Sequence, residues 1–272
     1  MDMTIIALYC LCDELLNHLH HPETPSRMSD AEVITTVVVS ALYFSGHHEK
    51  SCQFMKAHGY IPQMLSKSRF NRRVQGLASV IRQLFQSLGR YWGKQSPSPL
   101  YIIDSFPIAV CDHKRIKRCQ RFQGEEWRGY QASKQRYFYG LKVHLLVTEA
   151  GQPVECVFTE GSMSDVKALK LFDFDLPQNA EILGDKAYND YHFEDQLAEV
   201  DLLLSPLRKS HSKRAIPAYI TYWRSLKRKV VETTGSLLEQ PMPKHIHSST
   251  RLGFEIKLMT FMLALSFKFL LD

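Results

Sequence analysis

The chain is 272 residues long, enough to bury the core of one large domain or two smaller ones. Its composition, 44% hydrophobic and 23% charged, is that of an ordinary globular protein and excludes fibrous and low-complexity classes. A net charge of +6 fits an anionic partner without identifying one.

The distribution of charge says more than its sum. Residues 67–94 and 208–229 carry lysines and arginines but no acid, and 113–142 is basic apart from Glu125 and Glu126. Residues 149–201, between the last two blocks, are rich in acids. Basic blocks around an acidic one are the pattern of phosphate-binding surface around a cation site, against the plainer alternative of solvated faces. The cysteines (Cys10, Cys12, Cys52, Cys111, Cys119 and Cys156) form no CxxC pair and no zinc spacing, which points to free thiols in a reducing cytoplasm. The acidic start at Asp2 does not resemble a secretory leader. The longest apolar stretch, 258–267, is too short to span a bilayer, so no membrane association is expected.

Taken in order, residues 1–95 read as an all-α domain. Apolar residues at Ile5, Leu8, Leu15, Leu16 and Leu19 keep a helical period. Ser29 and Glu32 form a capping-box pattern ahead of the apolar run 33–44. That run is rich in Val and Thr, yet its length and cap favour a buried helix over a strand. In 65–77, Phe70, Val74 and Leu77 make one apolar stripe, with Arg69, Arg72 and Arg73 elsewhere. Such a helix suits the DNA-reading helix of a helix-turn-helix, or an ordinary amphipathic surface helix. Residues 80–91 continue as helix, and Gln95-Ser-Pro-Ser-Pro99 breaks the chain. The domain boundary is placed there, with a second domain over 100–272.

The second domain changes character. Residues 100–112, LYIIDSFPIAVCD, read as a buried strand interrupted by Asp104. The basic segment that follows, to about 136, lacks periodicity and reads as a loop. Residues 136–148 and 153–159 form a β-hairpin, 164–172 a helix capped by Ser164, 180–183 a short strand, 191–200 a helix and 201–205 a strand. Helices over 218–239 and 250–271 complete the chain. That order gives an α/β fold, a mixed sheet with flanking helices.

Three acids stand out. Asp104 lies inside an apolar strand, where a carboxylate must be paired, exposed at a cleft or bound to a cation. Asp185 ends a second apolar strand, ILGD, and ligands gather beyond the carboxyl ends of strands in such sheets. Glu232 follows a basic run on a helix, four residues after Arg228, and a plain helical ion pair between the two is the simplest account of it.

The motifs YIIDSFP, YGLKVHLLVTEAGQPVECVFTEGSMSDVKAL, ILGDKAYND and Arg228-x-x-x-Glu232 together resemble the catalytic core of bacterial insertion-sequence transposases of the DDE type, and more narrowly the nine-eight-two family of insertion sequences. The resemblance covers most of 100–265, and SKSRFNRR in the helical domain also fits. It implies an RNase H-like fold in which Asp104, Asp185 and Glu232 are the catalytic metal ligands. Two ions of Mg²⁺, or Mn²⁺, are expected, with cleavage at element ends followed by strand transfer. A nuclease of the same fold without strand transfer, and an inactive DNA-binding protein, are the alternatives. Where related transposases often carry Tyr and Lys around the Arg/Glu pair, this chain has Ser225 and Glu239. Double-stranded DNA, at element ends and target, is the expected partner. Its contacts are assigned to Arg69, Arg72, Arg73, Lys227, Arg228 and Lys229, and to Lys142 and His144 on one face of the hairpin. A homodimer in the bacterial cytoplasm, at the nucleoid, follows from a reaction that joins two ends.

Overall fold

The structure is a computed structural model and describes residues 2–22, 26–112, 116, 119, 122–131 and 135–272. It divides into two compact units, Met1–Ser87 with Leu237–Asp272, and Leu88–Ser236.

The helical unit is built on α2 (Asp30–Tyr43). Its β-branched residues carry a strand propensity that the local cap and the surroundings overrule. The Ser29 hydroxyl accepts the Glu32 N–H at 3.1 Å, and the Glu32 carboxylate accepts the Ser29 N–H at 2.8 Å, completing the capping box. Thr36 donates its hydroxyl to the Glu32 carbonyl at 2.7 Å, so its polar group costs nothing when buried. Every residue from Val33 to Ala41 is buried, because α2 packs against α1 (Asp2–His18), α3 (His48–Ala57), α4 (Lys67–Gly76) and α9 (Arg251–Leu271). A helix apolar on all sides needs neighbours on all sides. The 40–46 turn holds Gly46 at φ +73, with Phe261 so close that a Cβ would meet its ring at 2.9 Å.

Two features depart from expectation. The last helix belongs with the N-terminal helices, so the units do not follow the linear division at 95–100. The connection from α3 to α4 runs over 58–66, longer than the three-to-four-residue turn of a helix-turn-helix.

The second unit carries a six-stranded mixed sheet. Its central strand is β1 (Leu100–Asp112), antiparallel to β3 (Arg136–Thr148) along nearly its whole length. The other edge of β3 is shared by β2 (Arg128–Gln131), which pairs with its first residues, and β4 (Pro153–Glu160), which pairs with the rest. On its far side β1 is parallel to β5 (Glu181–Gly184), which is parallel to β6 (Leu203–Pro206). An antiparallel hairpin on one side and parallel strands on the other give the α/β, RNase H-like arrangement expected from the sequence. Helices α5 (Ala78–Gln95), α6 (Asp165–Leu169), α7 (Tyr191–Ala198) and α8 (Ala218–Glu239) accompany it, α5 and α8 crossing the division between the units.

The basic segment read as a loop contains a 3-10 turn at Glu125–Trp127 and the edge strand β2; the remainder of that segment lies largely outside the described residues. Helix α6 stops at Leu169, short of the expected 172.

Candidate active site

The sheet register places the two aspartates. β1 and β5 pair as Leu100↔Glu181, Tyr101↔Ile182 and Ile102↔Leu183. Pairing ends there, and continuing the same step brings Asp104 level with Asp185, one residue past Ile103 and Gly184. Two parallel neighbours, roughly 4.8 Å apart, thus deliver their carboxylates to one rim just beyond the last ladder bond. Gly184 is what brings the chain in close: a Cβ there would sit 3.1 Å from the Tyr188 side chain. Asp185 then leaves the strand and accepts the Ala187 N–H at 2.7 Å, capping the short 3-10 turn Lys186–Tyr188.

Helix α8 brings the third acid and a cation. Arg228 donates to Asp104 Oδ2 at 3.0 Å, and the Ser105 N–H donates to Oδ1 at 2.8 Å. At Gly235, further along α8, an added Cβ would come within 3.7 Å of the Phe106 ring. Glu232, between them in sequence, is exposed. The guanidinium of Arg228 therefore pairs with Asp104 from a different element, and not with Glu232 in the helical ion pair that the spacing allowed.

Burial pushes the Asp104 carboxyl up to about 6, from an ordinary 3.8. Arg228 and the Ser105 N–H pull it down, while the charges of Asp185 and Glu232 add to the rise. The three acids thus share one electrostatic neighbourhood. Among the described residues, no three His, Cys, Asp or Glu side chains converge closely enough to form a metal cage. Each aspartate already accepts from internal donors, Asp104 from Arg228 and the Ser105 N–H and Asp185 from the Ala187 N–H.

Comparison with known proteins decides the family. The transposase DDE domain profile matches residues 94–247, more than half of the chain. The chain belongs to the transposase DDE domain family. Among solved structures, the cryo-EM structure of a piggyBac transposase synaptic complex with hairpin DNA aligns at 11% identity over 98% of this chain and 72% of that chain, with a TM-score of 0.47. No curated protein matches.

Behind the rim of the DDE domain lies a polar cluster that sequence alone did not assemble. Asp165, at the start of α6, accepts the Ser105 hydroxyl at 2.8 Å and the Lys142 ammonium at 3.3 Å. Lys142 also donates to the Met163 carbonyl at 2.9 Å. His144 is 0% exposed and bonds Thr159 at 3.0 Å and Tyr188 at 3.4 Å. Burial pulls its imidazole down to about 4, against the attraction of Asp165. Burial also lifts the Tyr188 phenol well above 10. Lys142 and His144 do share one face of β3, as their alternation required, but that face points into the protein and braces β1 beside Asp104.

The other basic residues divide in the same way. Arg73 is taken by the buried Asp30 at 2.6 Å, which also contacts His21 at 2.9 Å. Lys227 pairs with Glu149 and lies 5.9 Å from the Trp223 ring centroid. Arg69 and Arg72 on α4 and Lys229 on α8 are exposed. Leu226 on α8 is exposed, along with Tyr219, Tyr222 and Trp223. Among the described residues, no helix is long and apolar enough to cross a membrane.

Proposed function

We propose that this transposase binds the ends of an insertion sequence related to the nine-eight-two family, and cleaves and joins DNA strands there with Asp104, Asp185 and Glu232 as its catalytic carboxylates. The observation that carries the proposal is the register of Asp104 with Asp185 at the open end of two parallel strands, faced by α8.

The donor set suits a divalent cation such as Mg²⁺ or Mn²⁺, which takes oxygen ligands and favours carboxylates. Two features of the rim support that fit. A half-buried carboxyl is pushed to about 6 by burial and two neighbouring acids, a surplus of negative charge that a cation would relieve. A cationic group, the Arg228 guanidinium, already stands against Asp104, and its buried Nε makes no hydrogen bond to the described residues. When bound, a pair of such ions supplies activation of the attacking hydroxyl and neutralisation of the leaving oxygen.

The chain's own residues do the rest. Asp104 is held by the Ser105 N–H and by a strand braced through Ser105, Asp165 and Lys142. Arg228 favours the ionised form of Asp104, and its terminal nitrogens are the proposed donors to a phosphate oxygen. Arg69, Arg72 and Lys229, exposed and basic, are the proposed contacts to the duplex backbone. Arg73, Lys142, His144 and Lys227 are left out, since internal partners hold them. Two copies act together on two ends, in the bacterial cytoplasm where the element's DNA lies.

The test is strand transfer. Purified protein is incubated with Mn²⁺ and DNA carrying the inverted repeats that flank its own coding sequence. Joined end–target products support a transposase; cleavage with no joining at any end concentration supports the nuclease alternative.

A further inference from the structure

Beside Asp185 lies a pocket with no part in the site described so far. Its volume is about 600 Å³, and Lys186, Asn189, Tyr191, Lys209, His211 and Ser212 line it. No acid is among the lining residues, although one wall comes from the acid-rich block 149–201 and the other from the basic block 208–229. One wall is the turn that Asp185 caps; the other is the loop that leaves β6. The two walls start from neighbouring points of the sheet, because Gly184 pairs with Pro206 and the Leu207 N–H donates to the Gly184 carbonyl at 2.9 Å.

The walls are fixed to one another. The Asn189 amide donates to the Lys186 carbonyl at 3.0 Å and to the Leu207 carbonyl at 2.7 Å, one bond to each wall. Arg208 donates to the Asn189 side-chain oxygen at 3.0 Å and grips Glu194 through both terminal nitrogens, at 2.6 and 2.8 Å. Arg214 reaches the same Glu194 at 2.9 Å and also Asp195 at 2.7 Å. The Tyr191 hydroxyl meets the Ser212 hydroxyl at 2.7 Å and accepts the Lys213 N–H at 3.1 Å.

These bonds sort the charges of the loop. Arg208 and Arg214 are committed to Glu194 and Asp195, so their role is to hold the loop. Lys186 and Lys209, both exposed, line the opening with His211. Arg208 and Arg214 stand 5.6 and 5.0 Å from the Tyr191 ring centroid, adding positive charge around the pocket. A cationic pocket with no acid in its lining and walls tied together by these bonds suits phosphate.

We propose that this pocket binds a backbone phosphate of the DNA strand that passes Asp185, with Lys186 and Lys209 as its two principal cations. The contact is independent of sequence and sets the strand's position along the rim. It rests on the function proposed above, and it adds a phosphate-positioning site outside the three acids and Arg228.

The experiment measures duplex binding by the full-length chain over a salt series, using fluorescence anisotropy and two labelled duplexes of unrelated sequence. Each lost phosphate contact lowers the slope of log K against log salt by about 0.9. Lys186→Ala and Lys209→Ala are each expected to lower the slope by about that amount on both duplexes, and the double variant by about twice as much. Lys167→Ala, an exposed lysine outside the pocket, serves as the control and keeps the wild-type slope. Wild-type slopes in both pocket variants would overturn the proposal, as would a loss confined to one duplex sequence. Mn²⁺-dependent nicking of plasmid, measured in parallel, separates the two claims. A wild type that nicks while the pocket variants keep the wild-type slope removes the pocket alone; a wild type that does not bind duplex DNA removes both.

Discussion

Replacing Asp104 with Asn should make the sheet unit more stable, and by an amount that depends on pH. Asn keeps the size of the side chain and an oxygen for one of the two donors, the Ser105 N–H or Arg228, which bond different oxygens of Asp104, but it cannot ionise. The Asp104 carboxyl titrates at about 6 in the folded chain and at 3.8 when unperturbed. The folded state therefore holds this proton where the unfolded state has lost it, and the wild type loses stability as pH rises through that window. Integrated, the ionisation part of that advantage is about 1 kcal/mol at about pH 4.5 and about 3 kcal/mol at about pH 8. His144 contributes with the opposite sign. Its imidazole, pulled from 6.5 to about 4, costs stability as pH falls through the same range, so only the difference between wild type and variant isolates Asp104. Urea denaturation followed by tryptophan fluorescence reads the right part of the molecule, because Trp92, Trp127 and Trp223 all belong to the Leu88–Ser236 unit. A variant no more stable than wild type at about pH 8, or one with a gain that does not change with pH, would refute the assignment of a strained carboxylate. Added Mn²⁺ at about pH 8 should stabilise the wild type and leave Asp104→Asn unmoved.

Three further outcomes follow from the contacts. Arg228→Ala removes the main attraction on Asp104, so the carboxyl should titrate higher still, by roughly one to three pH units; ¹³C NMR of labelled aspartate reads this, and an unchanged titration would mean that the ion pair does not form in solution. Arg73→Ala takes the guanidinium from the buried Asp30 charge and leaves it His21, and should cost up to about 3 kcal/mol, whereas Arg69→Ala and Arg72→Ala should stay within about 0.5 kcal/mol of wild type and weaken DNA binding; thermal melts by circular dichroism and a binding titration separate the two classes. Gly89→Ala should destabilise the chain even though helix propensity alone favours Ala by about 1 kcal/mol, because the new Cβ would lie 1.9 Å from the Val154 carbonyl oxygen; a higher melting temperature for the variant would show that this approach is not real.

What could be read from the sequence was local. The Ser29–Glu32 box announced α2 despite its valines, because a cap is made by residues three apart. Asp104 and Asp185 were legible because each interrupts or ends an apolar strand, and the register then brings them level. The polarity of a face was not legible. Alternation put Lys142 and His144 on one side of β3, but a period of two cannot say whether that side meets solvent or core. Their partners Asp165, Tyr188 and Thr159 come from other elements, so the inward cluster leaves no pattern along the chain. Arg73 looked like its neighbours Arg69 and Arg72 until Asp30, from another helix, claimed it. Helix α3 went unseen because HEKSCQFMKA buries little more than Ser51 and Met55. The edge strand β2 went unseen because four residues around a glycine give no periodicity. The place of α9 among the N-terminal helices could not be read from chain order at all.

The most direct test of the central claim is cleavage of DNA bearing the element's own terminal repeats, in Mn²⁺, by wild type, Asp104→Asn, Asp185→Asn and Glu232→Gln at matched concentrations. Duplex binding and circular dichroism confirm that each protein is folded and engages its substrate. The expected result is cation-dependent cleavage by the wild type and a loss of at least a hundredfold in all three variants, since carboxylates that hold the same ions fail together. Full cleavage by any one of them would remove that residue from the site, and full cleavage by Asp104→Asn would contradict the account as a whole.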